Sequence, residues 1–268
     1  MIATVDWIIG VMDRWAPQSW AVDSDNVGLM IGDKTRPVNR ILTALDLTES
    51  VLEEALNEKF DFIITHHPLF SRHTPPIDRI TSDTPLGRKI LTLINNNIGV
   101  FCAHTNLDVA PGGVNDLLFD LVGLSNKEKL ADGEIAPSLG LIGYLSPPKE
   151  LAMLTKNLSL ALNSNVVRYT GSPSRLVHKI GICGGRGVSL IPMALSKKCD
   201  AFITGDIDYH LAMNTLEMGM TLIDATHYAT EIPIARAIAQ HLQATADTNN
   251  FQIEAKCTRT NGQMFKSL

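Results

Sequence analysis

The 268-residue sequence predicts an α/β protein with a mixed, largely parallel sheet. Three observations predict it. Short apolar runs alternate with helix-period segments through both halves of the chain. Those runs end in polar residues able to do chemistry, as strands do at the carboxyl edge of a parallel sheet. The endings of the two halves match one another, which predicts an internal duplication. The composition allows such a fold, with 45% hydrophobic and 19% charged residues supplying a sizeable core.

The elements follow in order. Residues 3–15 are predicted as an amphipathic helix with Val5, Ile8, Ile9 and Met12 on one face, ended by Pro17. A turn-rich segment follows around Asp25, Asn26 and Gly28. A strand is predicted over 39–45 and a helix over 48–55, with Thr48 as its N-cap. The apolar run Phe62-Ile63-Ile64 is a strand that finishes in His66-His67-Pro68. A helix over 85–95 turns Leu86, Ile90, Leu93 and Ile94 inward, and a strand over 99–103 runs into His104-Thr105-Asn106-Leu107-Asp108. The second half repeats the plan. A strand over 178–183 enters the glycine run 184–187, and a helix covers 189–196. A strand over 201–204 ends in Gly205-Asp206, and a helix covers 211–218. A strand over 221–224 leads to His227 and Glu231, and a last helix spans 232–242 with Pro233 in its first turn.

Set side by side, FIITHH (62–67) matches FITGD (202–206), and AHTNLD (103–108) matches THYATE (226–231). The step from Ile41 to Ile63 is 22 residues and that from Ile180 to Ile203 is 23. Two similar α/β units are therefore predicted, with Thr65 equivalent to Thr204 and His104 to His227. The competing explanation is that any two α/β halves look alike. The matched polar strand ends favour duplication.

The side chains collected at strand ends are His66, His67, His104, Asp108, Asp206, His210, Asp224, His227 and Glu231. This imidazole–carboxylate set suits zinc, iron, manganese, nickel or cobalt and suits calcium poorly. The four-residue steps from His104 to Asp108 and from His227 to Glu231 put each pair on one helix face. Neighbours in a strand point to opposite sides, so His66 and His67 are expected to serve two ions bridged by a carboxylate. A lone histidine is more often structural, and the conjunction carries the metal reading. The run GICGGRG (181–187) lacks both GxGxxG and GK[ST], so a tight turn is expected there, with a phosphate contact from Arg186 or the backbone as the alternative. Asp206 and His210 are assigned supporting or substrate-facing roles, and Trp7, Trp15 and Trp20 are assigned to the core.

Composition narrows the function classes. No apolar run reaches the ~18 residues of a membrane span. The N-terminus has aspartates and tryptophans where a signal peptide would have a basic, then apolar, stretch. Cys102, Cys183, Cys199 and Cys257 form no CxxC and read as reduced thiols. A cytoplasmic protein is expected. The net charge of −5 gives no general nucleic-acid footprint.

The chain resembles the NIF3-like proteins, also called GTP cyclohydrolase I type 2 homologues. The resemblance rests on SDNVGLMIGD (24–33), ITHHPLF (64–70), AHTNLDVAPGGVNDLL (103–118), FITGDIDYH (202–210) and DATHYATE (224–231), which span nearly the whole chain in the family's order. It implies a dinuclear centre held by His66, His67, Asp108, His227 and Glu231, with Glu231 bridging two divalent transition-metal ions. It implies two intertwined α/β units with the metals in the cleft between them, residues 1–125 (completed by 243–268) and 126–242. It also implies a homohexameric ring built as a trimer of dimers. The family name implies hydrolysis of a nucleotide, GTP opened at the purine ring to release formate and yield dihydroneopterin triphosphate. His104 is read as a proton shuttle or a residue orienting a ligand. The alternatives are a metal-binding regulatory or adaptor protein and a metal-handling protein. Ser24, Arg186 and Thr226 depart from the family pattern, where an aromatic, a smaller residue and glycine are usual.

Overall fold

The computed structural model describes residues 1–70, 77–131, 139–260 and 262–266. The fold is mixed α/β, with two compact units that each draw on two segments of the chain. One comprises Met1–Leu107 with Ile234–Gly262, the other Asp108–Pro233 with the C-terminal residues from Gln263. The sequence reading places its boundaries at 125/126 and 242/243.

In the first unit, β1 (Ala3–Thr4) leads directly into α1 (Val5–Trp15). The predicted helix thus begins two residues late. Ala3 and Thr4 pair with β3 (Pro37–Val38), and the Thr4 hydroxyl caps the helix by accepting from the Trp7 amide. β2 (Gly28–Ile31), β4 (Arg40–Ala44), α2 (Glu49–Asn57), β5 (Phe62–Thr65), α3 (Pro85–Asn95) and β6 (Gly99–Cys102) follow. Thr48 caps α2 as predicted, accepting from the Val51 amide, and Thr84 caps α3. β4, β5 and β6 are parallel neighbours, and β2 closes one edge antiparallel to β6.

Every residue of β5 and β6 is buried, the mark of a sheet covered on both faces. One face packs Leu42, Ile63 and Val100 against Val51 and Leu52 of α2 and Leu93 of α3. Each such side chain contributes about 1.5–3 kcal/mol on burial. Ile94 does not join them: α3 turns Gly87, Ile90 and Leu93 inward and leaves Ile94 half exposed.

In the second unit, α5 (Val114–Val122), β7 (Ser125–Lys129), β8 (Leu141–Glu150), α6 (Leu151–Ala161), β9 (Arg168–Tyr169) and β10 (Leu176–Ile182) come first. After β10, α7 (Ile191–Ser196), β11 (Ala201–Thr204), α8 (Tyr209–Glu217), β12 (Thr221–Asp224) and α9 (His227–Glu231) complete it. A 3₁₀ turn over Val188–Leu190 occupies the start of the helix predicted over 189–196. β10, β11 and β12 are parallel neighbours, with β9 antiparallel at the edge beside β12. β8 and β7 extend the other edge antiparallel. This sheet is therefore less parallel than the first.

The chain then returns to the first unit. α10 (Pro233–Thr248) accepts a hydrogen bond on the Ala235 carbonyl from the buried Thr43 hydroxyl at 2.5 Å. β13 (Glu254–Cys257) adds a parallel strand beside β4. Among the described residues, no helix is long and apolar enough to cross a membrane.

Candidate metal centre

In the first unit the site grows out of the carboxyl ends of β4, β5 and β6. The backbone amides of His66 and His67 carry the ladder past β5 by donating to the carbonyls of Ala44 and Leu45. The Thr65 hydroxyl donates to the His67 carbonyl at 2.7 Å and tightens the bend. That bend overturns the expectation that the two histidines point apart. The strand stops at Thr65, so its alternation no longer governs them, and their ring centroids lie 5.1 Å apart. His104, beyond the end of β6, completes a cluster in which one ligand atom from each of His66, His67 and His104 lies within 4.8 Å of the others.

Each of these rings is oriented through Nδ1. His66, fully buried, points Nδ1 at the Ala103 carbonyl at 2.8 Å. His67 points Nδ1 at Asp46 at 2.8 Å, and His104 points Nδ1 at Asp25 at 2.9 Å. A carbonyl or carboxylate oxygen can only accept, so Nδ1 carries the proton and Nε2 bears the lone pair that binds cations. Burial pushes the Asp25 carboxyl up. The hydrogen bonds of His104 and Thr105 outweigh it and hold the group well below the usual carboxylate range.

In the second unit, α9 puts His227 and Glu231 on one face as the four-residue spacing predicts, with Nε2 and Oε2 3.0 Å apart. His227 again directs Nδ1 to a carboxylate, Asp206 at 2.8 Å, so Asp206 supports the histidine as expected. Two glycines make room for the pair. A Cβ at Gly185 would lie 2.0 Å from Glu231 Oε1, and one at Gly205 2.4 Å from the His227 amide nitrogen. Gly185 also has φ +58°, a conformation costly for other residues.

The glycine run is a tight turn in which the three glycine amides at 184, 185 and 187 are engaged. Gly184 donates to Asn115 Oδ1, Gly185 to the Thr230 hydroxyl and Gly187 to the Thr204 hydroxyl, at 2.8–2.9 Å. The phosphate-cradle alternative therefore lacks these three amides. Burial, then the Asp108 and Glu231 carboxylates, pushes the Cys183 thiol well above its ordinary range, so it does not supply a thiolate. Asp108 closes the short helix Thr105–Asp108 (α4), and its carbonyl accepts from Asn115 Nδ2 at 3.0 Å.

Two strand-end candidates lie elsewhere. Asp224 is tied to Arg168 at 2.7 and 3.0 Å, and His210 stands exposed in the first turn of α8 with its ring edge-on to Tyr209. Trp7 and Trp15 are half-buried, packed on Phe251 and His241. Sequence reasoning missed Asp25 and Asp46 as partners of His104 and His67. The available signals were a carboxylate in the SDN turn and one two residues after β4.

The donor chemistry fits a divalent transition metal. It offers imidazole nitrogens with fixed tautomers and a carboxylate 3.0 Å from one of them, a spacing at which two ligands share one cation. The fold is that of an α/β protein whose histidine and carboxylate groups are able to hold a metal ion. The chain belongs to the Duf34/NIF3 (NGG1p interacting factor 3) family, whose model matches residues 3–262. It is 34% identical over 239 residues to a GTP cyclohydrolase 1 type 2 homolog of Clostridium acetobutylicum, covering 88% of each chain. It is 35% identical over 235 residues to the protein of that name from Lactococcus lactis, covering 87% of this chain and 88% of that one. Among solved structures it is similar to a Bacillus cereus protein related to NIF3, with a TM-score of 0.92, 24% identity and 100% of both chains covered. A Staphylococcus aureus structure matches with a TM-score of 0.89, 27% identity and 99% of each chain.

Proposed function

We propose that the protein is a metal-dependent hydrolase in which His66, His67, Asp108, His227 and Glu231 ligate two divalent transition-metal ions, bridged by Glu231. Zinc, iron, manganese, nickel and cobalt suit the donor set. The observation that supports this best is the Nδ1 pattern: His66, His67 and His227 each give that nitrogen to an oxygen acceptor, as metal-binding histidines do. When bound, such ions polarise a substrate oxygen and acidify water. The protein's own part is to hold the donors in place. Asp46 and Asp206 fix the tautomer and ring orientation of His67 and His227, and Gly185 leaves Glu231 its space. The substrate is a nucleotide or a related small molecule, with GTP favoured by the names of the relatives.

The decisive experiment reconstitutes the protein with each metal and screens hydrolysis of GTP, other nucleotides and phosphoesters. Metal content is measured in parallel for wild type, His67→Ala and Glu231→Ala. Both variants are expected to lose metal, and wild-type content in both overturns the ligand assignment. Chelated protein is expected to keep its circular dichroism and lose turnover. Activity that survives without metal ends the hydrolase reading. The family description names an interaction with NGG1p, which favours a regulatory adaptor as the second reading. Metal retention with no turnover on any substrate supports that alternative.

The proposed assembly is a homohexameric ring, a trimer of dimers, acting in the cytoplasm. The second unit exposes Met153, Leu160, Leu176, Tyr209 and Met218, apolar surface that association would cover. Light scattering on purified protein measures the assembly, and a monomer at all concentrations overturns it.

A further inference from the structure

The proposed ligand set leaves the SDN turn without a role, yet its aspartate is among the most heavily bonded side chains of the first unit. Only 7% of the Asp25 side chain is exposed. Its carboxylate accepts from the amides of Asn26 at 2.9 Å and Thr105 at 3.2 Å, from the Thr105 hydroxyl and from His104 Nδ1. The contact to His104 is symmetric, with both oxygens 2.9 Å from Nδ1. The turn is anchored from the other side as well. The Val22 amide donates to the Thr105 hydroxyl, and Asn26 Nδ2 donates to the Phe70 carbonyl. The segments 22–26 and 104–106 are thus knit together around one buried carboxylate.

We infer that Asp25 is a positioning residue that holds His104 as the Nδ1–H tautomer and so turns an imidazole lone pair, not an N–H, toward the space it shares with His66 and His67. The environment admits no other neutral tautomer. Four donors converge on the Asp25 oxygens, and a carboxylate has lone pairs for all of them. If His104 carried its proton on Nε2, the unprotonated Nδ1 would face a carboxylate at 2.9 Å, lone pair against lone pair. Resting on the hydrolase reading, this makes His104 a nitrogen base beside the cation site, with Asp25 acting only through it. A supporting carboxylate that sets a tautomer is a recognised way to make a histidine a base.

Asp25→Asn tests this. The amide keeps one acceptor oxygen and adds an NH₂ group among groups that all donate. His104 relieves the conflict by accepting on Nδ1 and moving its proton to Nε2. The readout is the tautomer itself, by long-range ¹H–¹⁵N correlation on zinc-loaded, ¹⁵N-labelled full-length protein at pH 8, with His104→Gln assigning the signal. The expected result is Nδ1–H in wild type and Nε2–H in Asp25→Asn, with zinc content unchanged. Wild-type His104 in the Nε2–H form overturns the inference even if the variant does not fold. So does Asp25→Asn protein that keeps Nδ1–H. Because the tautomer is read without substrate, absence of turnover counts against the hydrolase reading alone.

Discussion

The two units share a strand plan and differ where the strands end. In each, an antiparallel edge strand precedes in the chain the three parallel, helix-joined strands that it flanks: β2 beside β4–β5–β6, and β9 beside β10–β11–β12. Among its described residues the first unit collects three imidazoles and no carboxylate in ligand position beyond those strands, with Asp25 and Asp46 behind them. The second unit offers Asp108 and, on a five-residue helix under a glycine turn, one imidazole and a second carboxylate. A buried parallel sheet fixes positions beyond its carboxyl edge whatever the residues there are, so chemistry is varied without altering the core. The difference also separates two ways of aiming a donor. The first unit aims its rings by hydrogen bonds onto Nδ1. The second relies on close backbone packing as well.

The largest effects come from the two glycines of the second unit, and they should be opposite in kind. Gly205→Ala drives a Cβ to 2.4 Å from the His227 amide nitrogen, where only backbone can yield. It should cost ~3 kcal/mol or more of stability, read by denaturant unfolding. Gly185→Ala meets the far end of Glu231 instead, 2.0 Å from Oε1. The carboxylate can swing aside, so the stability loss should be limited to the ~1–2 kcal/mol of holding alanine at φ +58° while metal affinity falls ~100-fold, read by chelator competition. Equal stability losses in both variants would erase the distinction.

A smaller effect compares the supporting carboxylates across the units. Asp46→Asn and Asp206→Asn should each weaken metal binding ~10–100-fold with little change in melting temperature. A loss in Asp206→Asn alone would remove His67 from the ligand set.

Smaller again is the strain at Thr226. This β-branched residue sits at φ +64°, ψ +149°, held by Asp224 Oδ1 on its amide and by its own hydroxyl capping Ala229. Thr226→Gly relieves about 1–3 kcal/mol of backbone strain but loses a cap worth ~1 kcal/mol. Thr226→Ala loses the cap and keeps most of the strain. The glycine variant should therefore melt above the alanine variant by about 2–8 °C. The reverse order would show the backbone to be unstrained.

The smallest effect lies in the first unit. Burial, then Arg14, lowers the pKa of His241, whose ring packs on Trp15. A lowered folded-state pKa means the unfolded chain binds the proton more readily. The stability it supports is complete above the unfolded value of about 6.5 and declines as pH falls below it. His241→Gln should flatten the dependence of melting temperature on pH between 5 and 7.

What the sequence determined by itself was local. Apolar period and capping residues placed β5, α2, α3, β11 and β12 within a residue or two, because those signals act over one or two turns of chain. The His227–Glu231 pair was legible for the same reason, since its geometry is that of a single helix turn. Edge strands β2 and β9 escaped notice, both being short, with β2 only partly covered and β9 exposed. In the antiparallel β7–β8 pair, β7 is exposed and polar throughout, and β8 passes from a buried apolar half to an exposed half with two prolines, so neither carries a clear period. Tertiary structure alone decided the rest: that α5 serves the second unit while α10 returns to the first from its start, and that the partner of His104 is an aspartate 79 residues away. Such pairings depend on sheet register and on where the chain closes its loops, and neither is encoded in the period of any one segment. The convergence of His66 and His67 belongs with them. Alternation says that neighbours in a strand point apart, but only the fold decides at which residue the strand stops.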